Sequence, residues 1–298
     1  MRRALSDSLL TSTQDYFQKY LRQTRGASAH TVRAYRDTLR LFFTFLAEHQ
    51  RKSVANLTLE DVHAKAVLAF LEHIESKRGN SPVTRNCRLA AIRSFAQHLV
   101  RHDVTRAGQY GTILAIRSKR AARRSVTYLE PEEARALIDA VDTTKPNGGR
   151  DRALLLLLYN TGARVAEALS LRATALHLDR PRQVRLLGKG NKERICPLWP
   201  ETATALRRIL PASAGEPLFK NAAGGPLSRD GAAYVIEKHV KAATENCPAL
   251  RKRRVTPHVL RHSCACALLQ AGVDVTVIRD YLGHASVATT SRYVTTNL

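Results

Sequence analysis

Apolar residues at helical spacing dominate roughly the first hundred positions of the chain. One stripe recurs every three or four residues and consists of Val32, Tyr35, Leu39, Phe42 and Leu46. Such spacing marks the buried face of an amphipathic helix, and no strand pattern competes with it. We therefore expect four helices here, the first over residues 8–23 and the second after Ser28.

Helix start signals mark the other two helices of this region. Thr58 is a good N-cap and is followed by Glu60 and Asp61, whose negative charge suits a helix N-terminus. Ser81 and Pro82 combine an N-cap with proline at the first helical position. The third helix is expected from Thr58 and the fourth from Ser81, which makes residues 1–105 a small all-α domain.

The remainder, residues 126–298, mixes helices with one pair of strands. Helices are expected from Pro131, over 149–160, after Gly162, and over 201–210, 228–245, 257–271, 274–282 and 288–293. Residues 184–187 and 193–197 flank the glycine-rich segment 188–191, which predicts a β-hairpin with a Gly-rich turn. The fold class is therefore mainly α, with a mostly helical second domain that carries a small antiparallel sheet.

The charge of the chain is strongly positive in both halves. Lys and Arg number 48 against 25 Asp and Glu, a formal net charge of +23. Residues 1–120 hold 21 basic and 9 acidic residues, and the remainder holds 27 and 16. Such an excess indicates a polyanionic partner, most commonly nucleic acid.

Residues 106–125 lack an apolar period and are rich in Arg. We interpret them as a basic linker between the two domains that lies along phosphates, with a solvated connector as the alternative.

Cysteine usage and hydropathy predict a cytoplasmic protein that contacts no membrane. Five cysteines, an odd number, fit reduced thiols better than a disulfide framework. The longest apolar run, residues 153–159, is too short to span a bilayer. The first residues show no apolar stretch of the signal-peptide type.

Four short segments of the second half carry residue types that suit phosphodiester chemistry. Arg164 precedes Glu167 by three positions, so the carboxylate can hold the guanidinium on one helix face. Lys189 lies at the tip of the predicted hairpin, from which it can reach into a DNA groove. Each of these two signals is weak alone, because surface ion pairs and solvated lysines are common.

The other two segments add imidazoles, a second arginine and a phenol. His258 and Arg261 share a face near a helix N-terminus that Thr256 caps and Pro257 opens, a position that favours an anion such as phosphate. His284 follows Gly283, and Tyr293 comes nine residues later.

The combination and order of these segments resemble the tyrosine recombinase (phage integrase) family. The residues that carry the resemblance are Arg164 with Glu167, Lys189 within Gly-Lys-Gly-Asn-Lys-Glu-Arg, His258-x-x-Arg261, Leu-Gly-His284 and Tyr293. They are most similar to Xer-type recombinases and to mobile-element integrases. The motifs cover residues 129–295, whereas the helical N-terminal half is similar to the family's four-helix SAM-like core-binding domain by architecture alone.

The resemblance implies a role for each of these residues. Arg164 and Arg261 would clamp the scissile phosphate, and His284 would donate to a phosphoryl oxygen. Lys189 would protonate the leaving 5′ oxygen, and His258 would assist proton transfer at the tyrosine. Tyr293 would form a 3′-phosphotyrosine bond.

The same resemblance implies the partners and the supporting residues. Glu167 would support the site without reacting, and neither ATP nor a metal cofactor is expected. The partners would be double-stranded DNA recombination sites and other protomers in a tetramer on two sites, with a monomeric free protein left open. The two domains are expected to close on DNA as a C-shaped clamp. Candidate groove and phosphate contacts are Arg33, Arg36, Arg40, Arg85 and Arg88.

Alternatives stay open on the sequence alone. A type IB topoisomerase-like enzyme would use similar phosphotyrosine chemistry, and a catalytically silent DNA-binding regulator would keep the charge without the reaction. A zinc site at His258, His262 and Cys266 is disfavoured, because these positions span about 12 Å of helix axis. Five residues follow Tyr293, whereas similar enzymes usually continue with a segment that docks into a neighbouring subunit, so the contacts between protomers are left open.

Overall fold

The chain forms two compact units, residues Met1–Arg123 and Arg124–Leu298, in a computed structural model. The structure describes residues 8–121, 126–188, 192–284, 286 and 290. Lys189 and Tyr293 lie outside these described residues, as does most of the predicted helix 288–293.

The first unit is entirely helical over its described residues. Its helices are α1 (Leu9–Asp15), which continues as a π-helical stretch (Tyr16–Thr24), α2 (Ala29–Gln50), α3 (Ala64–Ser76), α4 (Pro82–His102) and α5 (Ala107–Ala115). The predicted caps hold, because the Ser28 and Ser81 hydroxyls accept from the amides of Thr31 and Thr84 at 3.2 and 3.3 Å. The core is built from the predicted stripe of α2 together with aromatic and aliphatic residues of α3 and α4.

The start predicted for the third helix is wrong by several residues. Thr58 caps a single 3₁₀ turn, Leu59–Asp61, and α3 begins only at Ala64. The Asp61 carboxylate accepts from the Thr58 amide at 2.8 Å and pairs with Lys52 at 2.8 Å. These local bonds close the turn, so the capping signal is satisfied before a helix begins.

The linker predicted over 106–125 is partly wrong, because α5 occupies its first half. Tyr110 and Ile113 are fully buried in the core of the first unit, and the Tyr110 hydroxyl donates to Asp103 at 2.9 Å. The sequence pattern did not predict this helix, because it contains two glycines and only two fully buried apolar residues. Beyond it, the Lys119 amide donates to the Asn86 side chain at 3.0 Å, so this stretch is also attached to α4.

The second unit surrounds a central buried helix. Its helices are α6 (Pro131–Asp139), α7 (Gly148–Thr161), α8 (Val165–Leu169), α9 (Pro200–Arg207), α10 (Arg229–Ala243), α11 (Pro257–Gln270) and α12 (Val275–Leu282). Residues 153–158 of α7 are all fully buried, which explains the longest apolar run of the sequence. In the described parts of the chain no helix has the length and apolar character needed to cross a membrane.

A three-stranded antiparallel sheet flanks these helices. Its strands are β1 (Leu176–His177), β2 (Gln183–Leu187) and β3 (Glu193–Pro197), in the order β1-β2-β3. The predicted hairpin is β2–β3, in which Leu187 pairs with Glu193 and Val184 with Cys196. Val184, Leu186 and Cys196 face the core, and Arg194 lies on the same face of β3 as Cys196, because side chains two positions apart on a strand point to one face.

Candidate active site

Arg164 is held at the junction between α7 and α8. Gly162 is the C-cap that follows α7 and has a φ of +57°, and a Cβ added there would lie 2.4 Å from Leu282 Cδ2. Arg164 is the N-cap of α8, its amide donates to Glu167 Oε2 at 2.9 Å, and its Nη1 donates to Oε1 at 2.7 Å. The predicted Arg164–Glu167 contact is therefore present, and the tight turn at Gly162 positions it.

A second arginine, which the sequence did not single out, holds the same carboxylate. Arg194 on β3 donates from Nη2 to Glu167 Oε2 at 2.6 Å and from Nε to the Tyr281 carbonyl at 2.9 Å. Burial alone would raise the pKa of Glu167, but the hydrogen bonds from Arg194 and Arg164 outweigh it and lower that pKa. The buried carboxylate is thus ionised and fixes two guanidinium groups at once.

Arg261 is almost completely buried and joins the ends of two other helices. It lies in α11, whose start is capped by the Thr256 hydroxyl, and it is 4 % exposed. Its Nη1 donates to the Gly162 carbonyl at 2.5 Å and its Nη2 to the Leu282 carbonyl at 2.6 Å. Both carbonyls belong to helix C-termini, where a cation is favoured.

His284 directly follows the end of α12. Gly283 has a φ of +64° and accepts from Arg164 Nη2 at 3.2 Å, and the His284 Nδ1 lies 2.9 Å from Thr290 Oγ1. Burial and then the positive charges of Arg261 and Arg164 lower the pKa of His284 to about 4. The imidazole is therefore neutral near pH 7 and keeps one ring N–H to donate.

These contacts bring five residues from four parts of the second unit to one place. Arg164 and Arg261 bind the carbonyls of consecutive residues, Gly283 and Leu282, next to His284. Glu167 pairs with Arg164 on one oxygen and with Arg194 on the other. The base of the hairpin turn lies here too, because a Cβ added at Gly188 would lie 3.4 Å from Glu167 Oε1.

His258 lies in the first turn of α11, with its side chain exposed. Its ring stacks on His262, with 6.5 Å between centroids, and the charge of His262 contributes to the lowered pKa of His284. His258 is thus linked to the cluster through His262, the residue on which its ring stacks. The structure does not describe Lys189 and Tyr293, so their positions relative to the cluster stay predictions.

The five candidate DNA-contacting arginines of the first unit differ in solvent exposure and in whether they already form ion pairs. Arg33, Arg36 and Arg40 are exposed along α2. Arg85 pairs with Glu75 at 3.2 Å and its side chain is 11 % exposed, whereas Arg88 is half-buried and burial lowers its pKa. The α2 residues are therefore the better candidates for phosphate contacts.

Family comparisons cover nearly the whole chain. The model described as the phage integrase family matches residues 127–298, and the phage integrase N-terminal SAM-like domain matches residues 15–103. A Sinorhizobium fredii protein named as an integrase/recombinase (y4rC) is 39 % identical over 98 % of this chain and 89 % of its own length. The tyrosine recombinase XerC of Pelobacter propionicus is 33 % identical over 95 % of this chain and 90 % of its own length.

Solved structures share the fold at lower identity. XerH bound to palindromic difH substrate, a post-cleavage complex, has a TM-score of 0.71 at 22 % identity and covers 95 % of this chain and 81 % of its own. A lambda integrase dimer bound to a COC′ core site has a TM-score of 0.66 at 17 % identity, over 96 % and 95 % of the two chains. The two family matches and the two relatives above 30 % identity show that the chain belongs to the phage integrase family of tyrosine recombinases, enzymes that cleave and rejoin DNA.

Proposed function

We propose that the chain is a site-specific DNA recombinase that forms a 3′-phosphotyrosine bond through Tyr293, for the integration, excision or resolution of DNA. The observation that carries the proposal is the pair of guanidiniums, Arg164 and Arg261, on adjacent carbonyls beside a neutral His284. Such donors stabilise charge that spreads over the non-bridging oxygens of a phosphate under attack.

The reaction needs one nucleophile, one base and one acid. The Tyr293 oxygen attacks the scissile phosphorus, and the phosphorus–5′ oxygen bond breaks. His258 takes the phenol proton, and Lys189 gives a proton to the leaving 5′ oxygen. The new phosphotyrosine bond stores the energy of the broken bond, so a 5′ hydroxyl from another strand restores the backbone without ATP or a metal cofactor.

Supporting groups hold this arrangement in place. The buried carboxylate of Glu167 pairs with both Arg164 and Arg194, and it thereby fixes the Arg164 guanidinium. The hairpin base at Gly188 approaches Glu167, and we propose that Lys189, the next residue in the sequence, reaches the scissile phosphate from this side. We propose that DNA recombination sites and further protomers, four on two sites, are the partners, and that the protein acts in the cytoplasm, where its five thiols stay reduced.

Trapping the covalent intermediate tests the proposal. The protein is incubated with nicked suicide duplexes from the DNA that flanks its own gene, and SDS-stable adducts are counted. We expect an adduct with the wild type, none with Tyr293→Phe at unchanged DNA binding, and an undiminished adduct with Tyr234→Phe, an exposed tyrosine that is 66 % accessible. An adduct that survives Tyr293→Phe refutes the assigned nucleophile.

The same assay separates the alternatives. A silent DNA-binding regulator binds the duplexes and gives no adduct. A type IB topoisomerase-like enzyme gives the adduct and also relaxes supercoiled plasmids that lack a recombination site, whereas a recombinase joins strands between two sites.

A further inference from the structure

The first unit contains a cluster of metal-ligand side chains that the strand-exchange chemistry does not use. Asp15 is the last residue of α1, and His98 and His102 lie one turn apart on α4. Among the described residues, one ligand atom from each of these three lies within 4.8 Å of the others. The helix spacing and the packing of Tyr16 against Phe95, with 5.2 Å between ring centroids, bring the three together.

The imidazole of His98 lacks normal hydrogen bonds in this environment. It is 1 % exposed, and within the described chain its Nδ1 has no partner. Its Nε2 lies 3.5 Å from Asp15 Oδ2, longer than an ordinary hydrogen bond. An ion binds only one nitrogen of an imidazole, and the 3.5 Å between Nε2 and Asp15 Oδ2 is close to the spacing of two ligand atoms on one ion. A buried imidazole without ordinary partners costs free energy, so His98 points to a missing ligand between these two atoms.

An ion can reach the cluster from solvent. A cavity of about 530 Å³ lies beside the three residues, also lined by Thr11, Ser12 and Thr24. His102 is exposed at its mouth, and its ring centroid lies 4.5 Å from that of His98. The cluster therefore combines one buried ligand, one exposed ligand and room for water.

Two cations line the same cavity, and one of them already pairs with the carboxylate of the cluster. Lys19 Nζ pairs with Asp15 Oδ1 at 2.5 Å, and the Arg101 guanidinium lies 5.5 Å from the centre of the Tyr20 ring. Asp15 Oδ2 therefore faces His98 while Oδ1 holds the lysine. A carboxylate at the centre of the cluster disfavours an anion and favours a cation.

We propose that Asp15, His98 and His102 bind one divalent transition-metal ion of the zinc type, with water as the fourth ligand. Two nitrogens and one carboxylate oxygen form a donor set that such ions accept. Ligand atoms of a tetrahedral zinc site lie about 3.3 Å apart, so small side-chain shifts close the cluster around the ion. The ion would cross-link α1 to α4 and stabilise the first unit, a role separate from strand exchange.

Zinc titration of the full chain tests the site. The protein is untagged, stripped with chelator, and carries Cys87→Ser, because an exposed thiol also binds zinc. Calorimetry with ZnCl₂ is expected to lose one equivalent, or to show at least about tenfold weaker binding, in His102→Ala and in Asp15→Asn. His30→Ala, an exposed histidine on α2, is the matched control and keeps the wild-type isotherm. Zinc should raise the melting temperature of the wild type and the control alone.

Two further measurements distinguish a built site from incidental binding. Lys19→Met removes the competing cation, so zinc affinity should rise severalfold. Co²⁺ should give visible absorption bands typical of a four- or five-coordinate ion, lost in His102→Ala. Equal zinc binding by wild type, His102→Ala and Asp15→Asn overturns the proposal, and so does stabilisation by inorganic phosphate that zinc does not give. DNA cleavage is not a readout here, so failure of this site leaves the proposed enzyme untouched.

Discussion

At the residue scale, the carboxylate of Glu167 organises the candidate active site, and Arg194 is the partner most open to a test. Arg194→Ala leaves a buried carboxylate with one of its two cations, which should cost about 3 kcal/mol of unfolding free energy. It should also slow adduct formation, because Arg164 loses its fixed support. Urea unfolding and the suicide-substrate assay measure the two effects.

Arg185 is the matched control for Arg194 in the same hairpin. Its side chain is exposed on β2, so Arg185→Ala should change stability by less than about 0.5 kcal/mol. Arg194→Lys should recover part of the cleavage rate, because it restores the charge without the second donor. If Arg194→Ala cleaves DNA as fast as the wild type at an equal concentration of folded protein, Arg194 has no positioning role.

The imidazole of His284 predicts a pH dependence of stability. It takes up a proton near pH 6.5 in the unfolded chain but near pH 4 in the folded one, so the unfolded state binds more protons between these values. Stability from this group is complete above about pH 6.5 and is lost as the pH falls towards 4, by no more than about 3 kcal/mol. Urea unfolding at pH 7 and pH 5 should show a smaller loss for His284→Asn than for the wild type.

An exposed histidine serves as the control for this prediction, and a second buried histidine contributes to the same loss of stability. His30→Asn, at an exposed position, should keep the wild-type pH dependence. Burial also lowers the pKa of His98 to about 4, so the wild type loses stability in this range from two groups and His284→Asn removes one part. Identical pH dependence in wild type and His284→Asn would contradict the shifted pKa.

Local spacing predicted part of the site and missed the rest for a physical reason. The Arg164–Glu167 pair and the cap of α11 follow from positions three apart on a helix. Arg194 reaches Glu167 from a strand 27 positions away, and a pairing between elements leaves no periodicity to read. The Asp15–His98 contact was missed in the same way, since its two residues lie on separate helices.

At the scale of elements, glycines after helix ends set how closely α7 and α12 approach. Gly162→Ala adds a Cβ 2.4 Å from Leu282 and keeps a φ of +57°, so it combines backbone strain with a clash. Gly272→Ala has a φ of +79° with nothing within 4 Å of the added carbon and isolates the strain. We expect Gly272→Ala to cost about 1–2 kcal/mol and Gly162→Ala at least about 2 kcal/mol more, measured by urea unfolding. Equal costs would mean that Leu282 moves away freely.

The cap of α11 gives a second test at this scale. Thr256→Ala removes the hydroxyl that accepts from the Val259 amide at 3.3 Å, which should cost about 1 kcal/mol. Ser228→Ala removes the equivalent bond of α10, at 2.9 Å, for a similar cost. Because only α11 carries His258 and Arg261, only Thr256→Ala should slow cleavage in the adduct assay. A slowing of equal size in Ser228→Ala would assign the effect to stability alone.

Hydrophobic periodicity predicted a helix well where a long apolar face is buried, and poorly where local hydrogen bonds determine where the helix begins. α2 and α4 begin at the predicted caps because their stripes of buried residues extend over several turns. α3 and α5 depart from the prediction because Asp61 closes a turn early and α5 has few buried anchors. The two-residue strand β1 pairs with β2 and is too short to carry a pattern of its own.

At the scale of the whole molecule, the net charge of +23 predicts a steep dependence of DNA binding on salt. Each phosphate neutralised by Lys or Arg contributes about −0.9 to the slope of log affinity against log salt. Exposure along α2 favours Arg33 and Arg40 as two of these contacts. The double variant Arg33→Ala/Arg40→Ala should therefore flatten the slope by about 2 and weaken binding to specific and unrelated duplexes alike.

Lys65 and Lys77 form the matched pair for this measurement. Both are exposed in the first unit, one on α3 and one just after it, so Lys65→Ala/Lys77→Ala lowers the net charge equally. If salt dependence came from total charge, both double variants would change the slope alike. A flattened slope for the arginine pair alone assigns the phosphate contacts to α2, whereas the reverse result moves the DNA-binding face of the first unit to α3.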